Sequence, residues 1–168
     1  MELLVRKVRP QDAEGIVNIL NPIIEAGRFT VLETLLTVEE EREFIADFPA
    51  RGVFHVAERR QDGRMVGFLS LEPFATYTHA FDHVATMGTY VDLSLRRRGI
   101  GRSLASATFQ VAGRKGFEKV FTYIRARNTE ALAFYRALGF RIVGTAQRQV
   151  KIDGKYEDEI IVEKFLSL

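Results

Sequence analysis

Tyr90-Val91-Asp92-Leu93-Ser94-Leu95-Arg96-Arg97-Arg98-Gly99-Ile100-Gly101-Arg102-Ser103-Leu104 is the stretch on which the reading of this chain turns. A strand-like apolar run passes through a basic loop with two glycines and enters a segment whose Ile100, Leu104, Thr108 and Val111 recur at helical spacing. Such a junction is a ready anion site. Glycine lets backbone approach a phosphate, the first-turn N–H groups lack helical partners, and the helix dipole adds roughly half a positive charge there. Arginines 96, 97, 98 and 102 strengthen that field. A plain loop with a solvated charge run has the same composition, so the context must separate the two.

Two nucleotide-binding patterns fail on these residues. A P-loop needs Gly-Lys-Ser/Thr, which is absent. A dinucleotide-binding turn wants a third glycine or alanine where Leu104 stands, and it normally opens its fold, whereas several strands are expected upstream here. Leu3 to Val8 reads as a strand, followed by a helix carrying Ile16, Ile19, Leu20, Ile23 and Ile24 that Pro22 should bend or end. Thr37-Val38-Glu39-Glu40 has capping-box spacing and opens a short helix closed by Pro49. Val53 to Glu58 and Met65 to Leu71 read as strands joined around Asp62-Gly63, and a third runs from Val84 to Leu93. Gly88 could mark a bulge in it.

Downstream, a helix is expected from Gly99 to Lys115 with Gly116 as its stop, then a strand from Val120 to Ile124. Asn128 or Thr129 can cap a further helix through Leu138, ended by Gly139. Phe140 to Thr145, Gln147 to Ile152 and Tyr156 to Phe165 read as closing strands, the last two turning at Asp153-Gly154. Strands and helices alternating in this order predict an α/β (α+β) chain, one mixed, mostly antiparallel sheet flanked by about four helices.

Bulk properties bound the function. The 168 residues suit one domain, residues 1–168, able to bury about two-thirds of its unfolded surface. With 46% hydrophobic and 27% charged residues the composition is that of an ordinary globular protein. No cysteine is present, which removes disulfides, thiolate metal sites and a cysteine nucleophile. No apolar h-region or membrane-length stretch is evident, so a cytoplasmic protein without membrane contact is expected. A net charge of +2 does not suggest nucleic-acid binding, and the arginine run lacks the stacking aromatics or recognition helix of such a protein. His79 and His83 lie four apart in a segment that is not convincingly helical, with no third ligand at a plausible spacing, so no metal is expected.

The spacing Arg96-x-x-Gly99-x-Gly101 resembles the pyrophosphate-binding motif of the GNAT acetyltransferases, Gln/Arg-x-x-Gly-x-Gly/Ala after a strand. Asn128-Thr129-Glu130-Ala131-Leu132-Ala133-Phe134-Tyr135-Arg136-Ala137-Leu138-Gly139-Phe140 is similar to the family's Asn-x-x-Ala-x-x-Phe-Tyr-x-x-x-Gly-Phe segment. Asn21-Pro22-Ile23-Ile24-Glu25 and Arg28-Phe29-Thr30 look like the phosphinothricin and methionine sulfoximine acetyltransferase subgroup, although a carboxylate of that subgroup falls near Thr86, which is not acidic. The tail from Gly144 to Asp158 also looks like that of amino-acid and polyamine acetyltransferases.

The resemblance implies a GNAT-like fold with splayed central strands and acetyl-CoA as co-substrate. It implies that Thr89, Tyr90 and Val91 pair with the pantetheine arm, that Arg96, Arg97, Arg98, Gly99, Ile100, Gly101 and Arg102 surround the pyrophosphate, and that Asn128 contacts the cofactor. A backbone N–H of the strand ending at Val91 would meet the oxyanion.

Acetyl transfer to an amine needs a neutral nucleophile, oxyanion stabilisation and a proton for the departing thiolate. The resemblance assigns that last role to Tyr135, and a residue present only to pack beside Phe134 would not need its hydroxyl. Deprotonating an ammonium near pKa ~10 needs help, and the residues leave Glu25, Asp82, His83 or a water chain open. Glu25, Arg28, Phe29, Asp82 and His83 are the candidate acceptor-side residues. The expected activity is N-acetylation of a small primary amine, an amino acid or its analogue, by a homodimer. A protein N-terminal or lysine acceptor, and a non-catalytic acyl-CoA-binding regulatory module, are the alternatives.

Overall fold

The computed structural model describes residues 1–166. One seven-stranded sheet organises them: β1 (Leu3–Lys7), β2 (Val53–Arg59), β3 (Met65–Pro73), β4 (Val84–Val91), β5 (Lys119–Arg125), β6 (Arg141–Ile152) and β7 (Lys155–Phe165), in the spatial order β1-β2-β3-β4-β5-β7-β6. Four α-helices flank it: α1 (Ala13–Ala26), α2 (Val38–Ala46), α3 (Ile100–Arg114) and α4 (Thr129–Ala137). The mixed, mostly antiparallel sheet and its helices agree with the order read from the sequence. Among the described residues no helix is long and apolar enough to cross a membrane.

Two apolar layers sandwich the sheet. α1 and α2 cover one face, where Ile16, Ile19, Ile23 and Ile45 meet Phe54, Val56 and Phe68. α3 and α4 cover the other, where Ile100, Leu104 and Tyr135 meet Leu69, Leu71, Val120 and Val162. The period-2 alternation of β3 explains the division: Phe68 faces one layer while Leu69 and Leu71 face the other. Gly67 lets α3 settle closely, since a Cβ there would lie 3.0 Å from both Ile100 Cγ2 and the Tyr90 carbonyl oxygen.

The only parallel pairing among the described strands is β4 with β5, and it is short. Val84 opposes Lys119 and Ala85 opposes Val120, after which β5 leaves β4 and pairs along its length with β7. The edge of β4 from Thr86 to Val91 is therefore unzipped on the β5 side while its β3 side stays paired to Val91. This is the splay.

Three local expectations need correction. Pro22 does not end α1, which runs one further turn to Ala26 and stops at Gly27 with φ 72°. Burial of Ile19, Leu20, Ile23 and Ile24 and two hydrogen bonds between the Asn21 amide and the Leu36 backbone outweigh the lost N–H. The two strands expected between Phe140 and Ile152 are one, β6, with register shifts between Ile142 and Gly144 and between Ala146 and Val150. Arg148 there has φ 53°, and its N–H donates to Asp158 Oδ1, so a local irregularity replaces the expected break. Gly88 marks no bulge against β3, because the register is regular through Ser70↔Gly88. Its missing side chain makes room for the Tyr90 ring, which a Cβ would approach to 3.1 Å.

Candidate active site

The strand-loop-helix junction builds the site's floor. β4 ends at Val91, and Asp92 caps the short turn Leu93–Leu95 by accepting from Ser94 N–H at 2.9 Å. Arg97 (φ 62°) and Gly99 (φ 79°) then take left-handed conformations that curl the loop over the start of α3. The first helical bond runs from Ser103 N–H to the Gly99 carbonyl, leaving the N–H groups of Ile100, Gly101 and Arg102 without helical acceptors. Gly101 is required by closeness: a Cβ would stand 2.8 Å from Phe134 Cε2 of α4.

The two motif segments face one another across a cavity of about 600 Å³. One wall is Thr89, Tyr90 and Val91 with the loop residues Arg96, Arg97, Gly99, Ile100, Gly101 and Arg102, and the other is Asn128, Phe134 and Tyr135, with Phe29 also lining the cavity. Backbone direction on β4 follows from its hydrogen bonds. Val84 and Asp92 bond to β3, through Phe74 N–H to Val84 O and Asp92 N–H to Val66 O, whereas Met87 O accepts from the Thr122 hydroxyl of β5 at 2.8 Å. Even-numbered residues thus bond toward β3 and odd-numbered ones point into the splay, which aims the N–H and C=O of Thr89 and Val91 at the cavity.

Tyr135 is buried at 6% exposure, edge-on to Phe140 (5.0 Å, 87°) and Phe134 (5.3 Å, 75°). Burial pushes its phenol well above the ordinary value, against a smaller lowering by the nearby Thr89 side chain. Thr89 Oγ1 is itself buried with no hydrogen-bond partner among the described residues. A protonated phenol and an unpartnered hydroxyl therefore meet where β4 opens toward α4.

A smaller cavity of about 150 Å³ continues from the first, sharing Phe29, Thr89, Tyr90, Asn128, Ala131 and Tyr135, and adding Thr30, Tyr123, Arg125 and Glu159. Its rim is the loop after α1, held by β5 and α4. Arg125 Nη1 donates to the carbonyls of Gly27 (3.0 Å) and Thr30 (2.8 Å), while Nε and Nη2 reach Glu157 Oε2 at 2.8 and 2.5 Å. Asn128 both caps α4, accepting from Ala131 N–H, and donates to the Phe29 carbonyl at 3.3 Å. The Arg96 guanidinium stacks 4.3 Å from the Phe29 ring centre and reaches Glu130 at 3.4 Å.

Of the residues singled out in the sequence, Tyr135 and the cofactor-side candidates gather around the first cavity, except Arg98, which is exposed outside its wall. Phe29 joins them. Glu25 and Arg28 are exposed on the last turn of α1 and the loop beyond, outside both cavity walls. Asp82 and His83 sit before β4, at the end of the strand opposite the splay, where Asp82 meets His79 Nδ1 at 2.9 Å and the His83 carbonyl accepts from Glu118 and Lys119. Their nearness in sequence to the central strand placed them at its wrong end. Arg125, Glu157 and Glu159 escaped notice because their meeting depends on the β5–β7 register. Alternation within each strand, Tyr123 with Arg125 and Glu157 with Glu159, was the available signal.

Comparison with known proteins agrees with this architecture. Residues 5–161 match the Acetyltransferase (GNAT) domain family. YwnH of Bacillus subtilis (strain 168), provisionally named a phosphinothricin acetyltransferase, is 25% identical over 98% of this chain and 100% of its own length. A crystal structure of ribosomal-protein-alanine N-acetyltransferase from Brucella melitensis aligns with TM-score 0.87 and 27% identity, covering 97% of this chain and 99% of that one. A phosphinothricin acetyltransferase from Sinorhizobium meliloti, solved in complex with AcCoA, gives TM-score 0.89 over 99% of this chain and 90% of that one. At 22% identity that last likeness is one of fold. The unzipped β4 edge, the glycine loop opening α3 and a domain match over nearly the whole chain lead to one assignment: the protein belongs to the GNAT family of N-acetyltransferases.

Proposed function

We propose that residues 1–168 form one N-acetyltransferase domain that moves the acetyl group of acetyl-CoA to the primary amine of a small molecule. The observation that carries the reading is convergence on one cavity of the Thr89 and Val91 backbone groups, the free N–H groups opening α3 and the Tyr135 hydroxyl. A pantetheine arm laid along the open edge of β4 supplies the peptide-like partners that β5 withholds. The pyrophosphate suits the N–H groups of Ile100, Gly101 and Arg102, with Arg96, Arg97 and Arg102 adding charge.

Acetyl-CoA supplies a thioester carbonyl activated for attack. The chain's part is to orient it, to hold the oxyanion on a backbone N–H of Thr89 or Val91, and to return a proton to sulfur. Tyr135 is the group for that last step: its raised proton affinity keeps it protonated across the neutral range, and its hydroxyl sits at the cavity wall. Likeness to YwnH supports an amino acid or its analogue as acceptor, and likeness to the Brucella protein supports a protein N-terminus as the second reading.

The test is thiol release from acetyl-CoA with a panel of small amines, amino acids and N-terminal peptides. Amine-dependent release of coenzyme A, with the acetylated amine identified by mass, is the expected result. Acetyl-CoA binding with no release for any acceptor would leave only a binding module.

A further inference from the structure

We propose that Glu159 is the acceptor-side base: it receives the substrate's ammonium in the smaller cavity and takes its proton, and the acceptor carries no carboxylate beside that nitrogen. The proposal rests on the acetyl-transfer reading, adds a residue to it, and sets an amine without a neighbouring carboxylate against the amino-acid acceptor that likeness to YwnH supports.

Glu159 lies on β7 directly opposite Arg125 of β5 and Ala146 of β6, and it lines the same small cavity as Tyr135 and Thr89. Its carboxylate has no hydrogen bond or ion pair among the described residues. The one neighbouring cation is taken. Arg125 spends Nε and Nη2 on Glu157 and Nη1 on two carbonyls, so its charge is balanced by Glu157 before Glu159 is counted. Arg125 and Glu159 are the charged residues lining the cavity, and with Glu157 bound to Arg125 beside them the three sum to one negative charge when both carboxylates are ionised. The remaining polar residues lining it are Tyr123 of β5, Thr89 and Tyr90 of β4, Thr30, Asn128, and Tyr135 of α4, none of them cationic. Burial and the Glu157 charge raise the proton affinity of Glu159, partly offset by Arg125, in the direction a proton acceptor needs.

Size sets the substrate class. About 150 Å³ holds roughly five water-sized groups, enough for an amine nitrogen and a short carbon stem. An α-amino acid would bring its carboxylate within two bonds of that nitrogen, against Glu159, where the one lining cation, Arg125, is already spent on Glu157 and two backbone carbonyls. The acceptor is thus a decarboxylated amine, or the terminal amine of a longer molecule whose carboxylate stays outside. In the reaction Glu159 takes one proton from R–NH3+, and the free amine attacks the thioester carbon. The C–S bond breaks as sulfur takes the Tyr135 proton, and the phenolate recovers a proton from the acetylated nitrogen. Glu159 then releases its own to water. The sum is acetyl-CoA and an ammonium giving an amide, coenzyme A and one proton.

The test follows thiol release by the full chain with putrescine, n-butylamine, alanine and glycine between about pH 6 and 10, with acetyl-CoA binding read separately by thermal unfolding. The wild type should acetylate the two amines at least tenfold more efficiently than the two amino acids. Glu159→Gln should lower kcat/KM for the amines by about 10²-fold and move the acidic limb of the pH profile up toward the amine's own pKa of about 10. Glu159→Asp should restore part of both, and acetyl-CoA should still stabilise both variants. The proposal is overturned if the Gln variant stays within threefold of wild type with its acidic limb unmoved. It is equally overturned if the amino acids are preferred, or if a wild type stabilised by acetyl-CoA turns over neither amine. Absence of any stabilisation by acetyl-CoA would overturn the acetyl-transfer reading itself.

Discussion

Replacing Tyr135 by phenylalanine separates chemistry from packing. The substitution removes one oxygen from a ring that stays edge-on between Phe134 and Phe140. The nearby side-chain oxygen, Thr89 Oγ1, has no hydrogen-bond partner, so no bond to it is lost. With the ring packing kept, the stability of Tyr135→Phe should stay within about 1 kcal/mol of wild type. Activity should fall. Loss of a general acid is worth about 10²–10⁴ in rate, or about 2.7–5.4 kcal/mol of transition-state stabilisation. The assay is thiol release at saturating acetyl-CoA together with thermal unfolding of the same preparation. Because burial raises the phenol's proton affinity, wild-type turnover should show no loss from Tyr135 ionisation up to about pH 10. A phenylalanine variant that releases thiol at the wild-type rate would refute the assignment, and a large drop in stability would refute the packing argument.

Other consequences are equally specific. Gly101→Ala should weaken acetyl-CoA binding by about tenfold in calorimetry, because its Cβ displaces the Phe134 ring from the cavity wall. Arg125→Met should destabilise by about 3–5 kcal/mol in denaturant unfolding, since it strands Glu157 and frees the Gly27 and Thr30 carbonyls; pairing it with Glu157→Leu should recover most of that loss. Glu41, buried on α2, has its carboxyl pushed up to about 7 by desolvation from an ordinary 4.5. A folded-state value above the unfolded one means stability is full below about pH 4.5 and declines as pH rises through 7, by up to roughly 3 kcal/mol. Glu41→Gln should flatten that decline in thermal unfolding between pH 5 and 8.5; an equally steep decline in the variant would place its origin elsewhere.

The sequence disclosed most where structure is local. The junction from Tyr90 to Leu104 and the segment from Asn128 to Phe140 each hold their own cap, turn and apolar stripe, so both elements could be read from the residues alone, while a shared cofactor site was implied only by the family resemblance. The Thr37 capping box is present as its spacing required. What was hidden depends on contacts distant in the chain. Pro22 survives inside α1 because tertiary burial and the Asn21 bonds outweigh a local penalty. Arg125 reads as an exposed end of a strand, yet it is 7% exposed because Glu157, more than thirty residues away, stands beside it. Asp82 and His83 show the converse error: adjacency to β4 says nothing about which end of β4 opens.

Thermal unfolding of the purified protein with acetyl-CoA, coenzyme A or NAD tests the central claim most directly, because it needs no knowledge of the acceptor. At 100 times its dissociation constant a ligand stabilises by about 2.7 kcal/mol, which for a chain of this size is a rise of about 5–11 °C. Acetyl-CoA and coenzyme A should both give that rise and NAD should give none. No shift with either coenzyme, or an equal shift with NAD, would contradict the assignment of the β4–α3 cavity to acetyl-CoA.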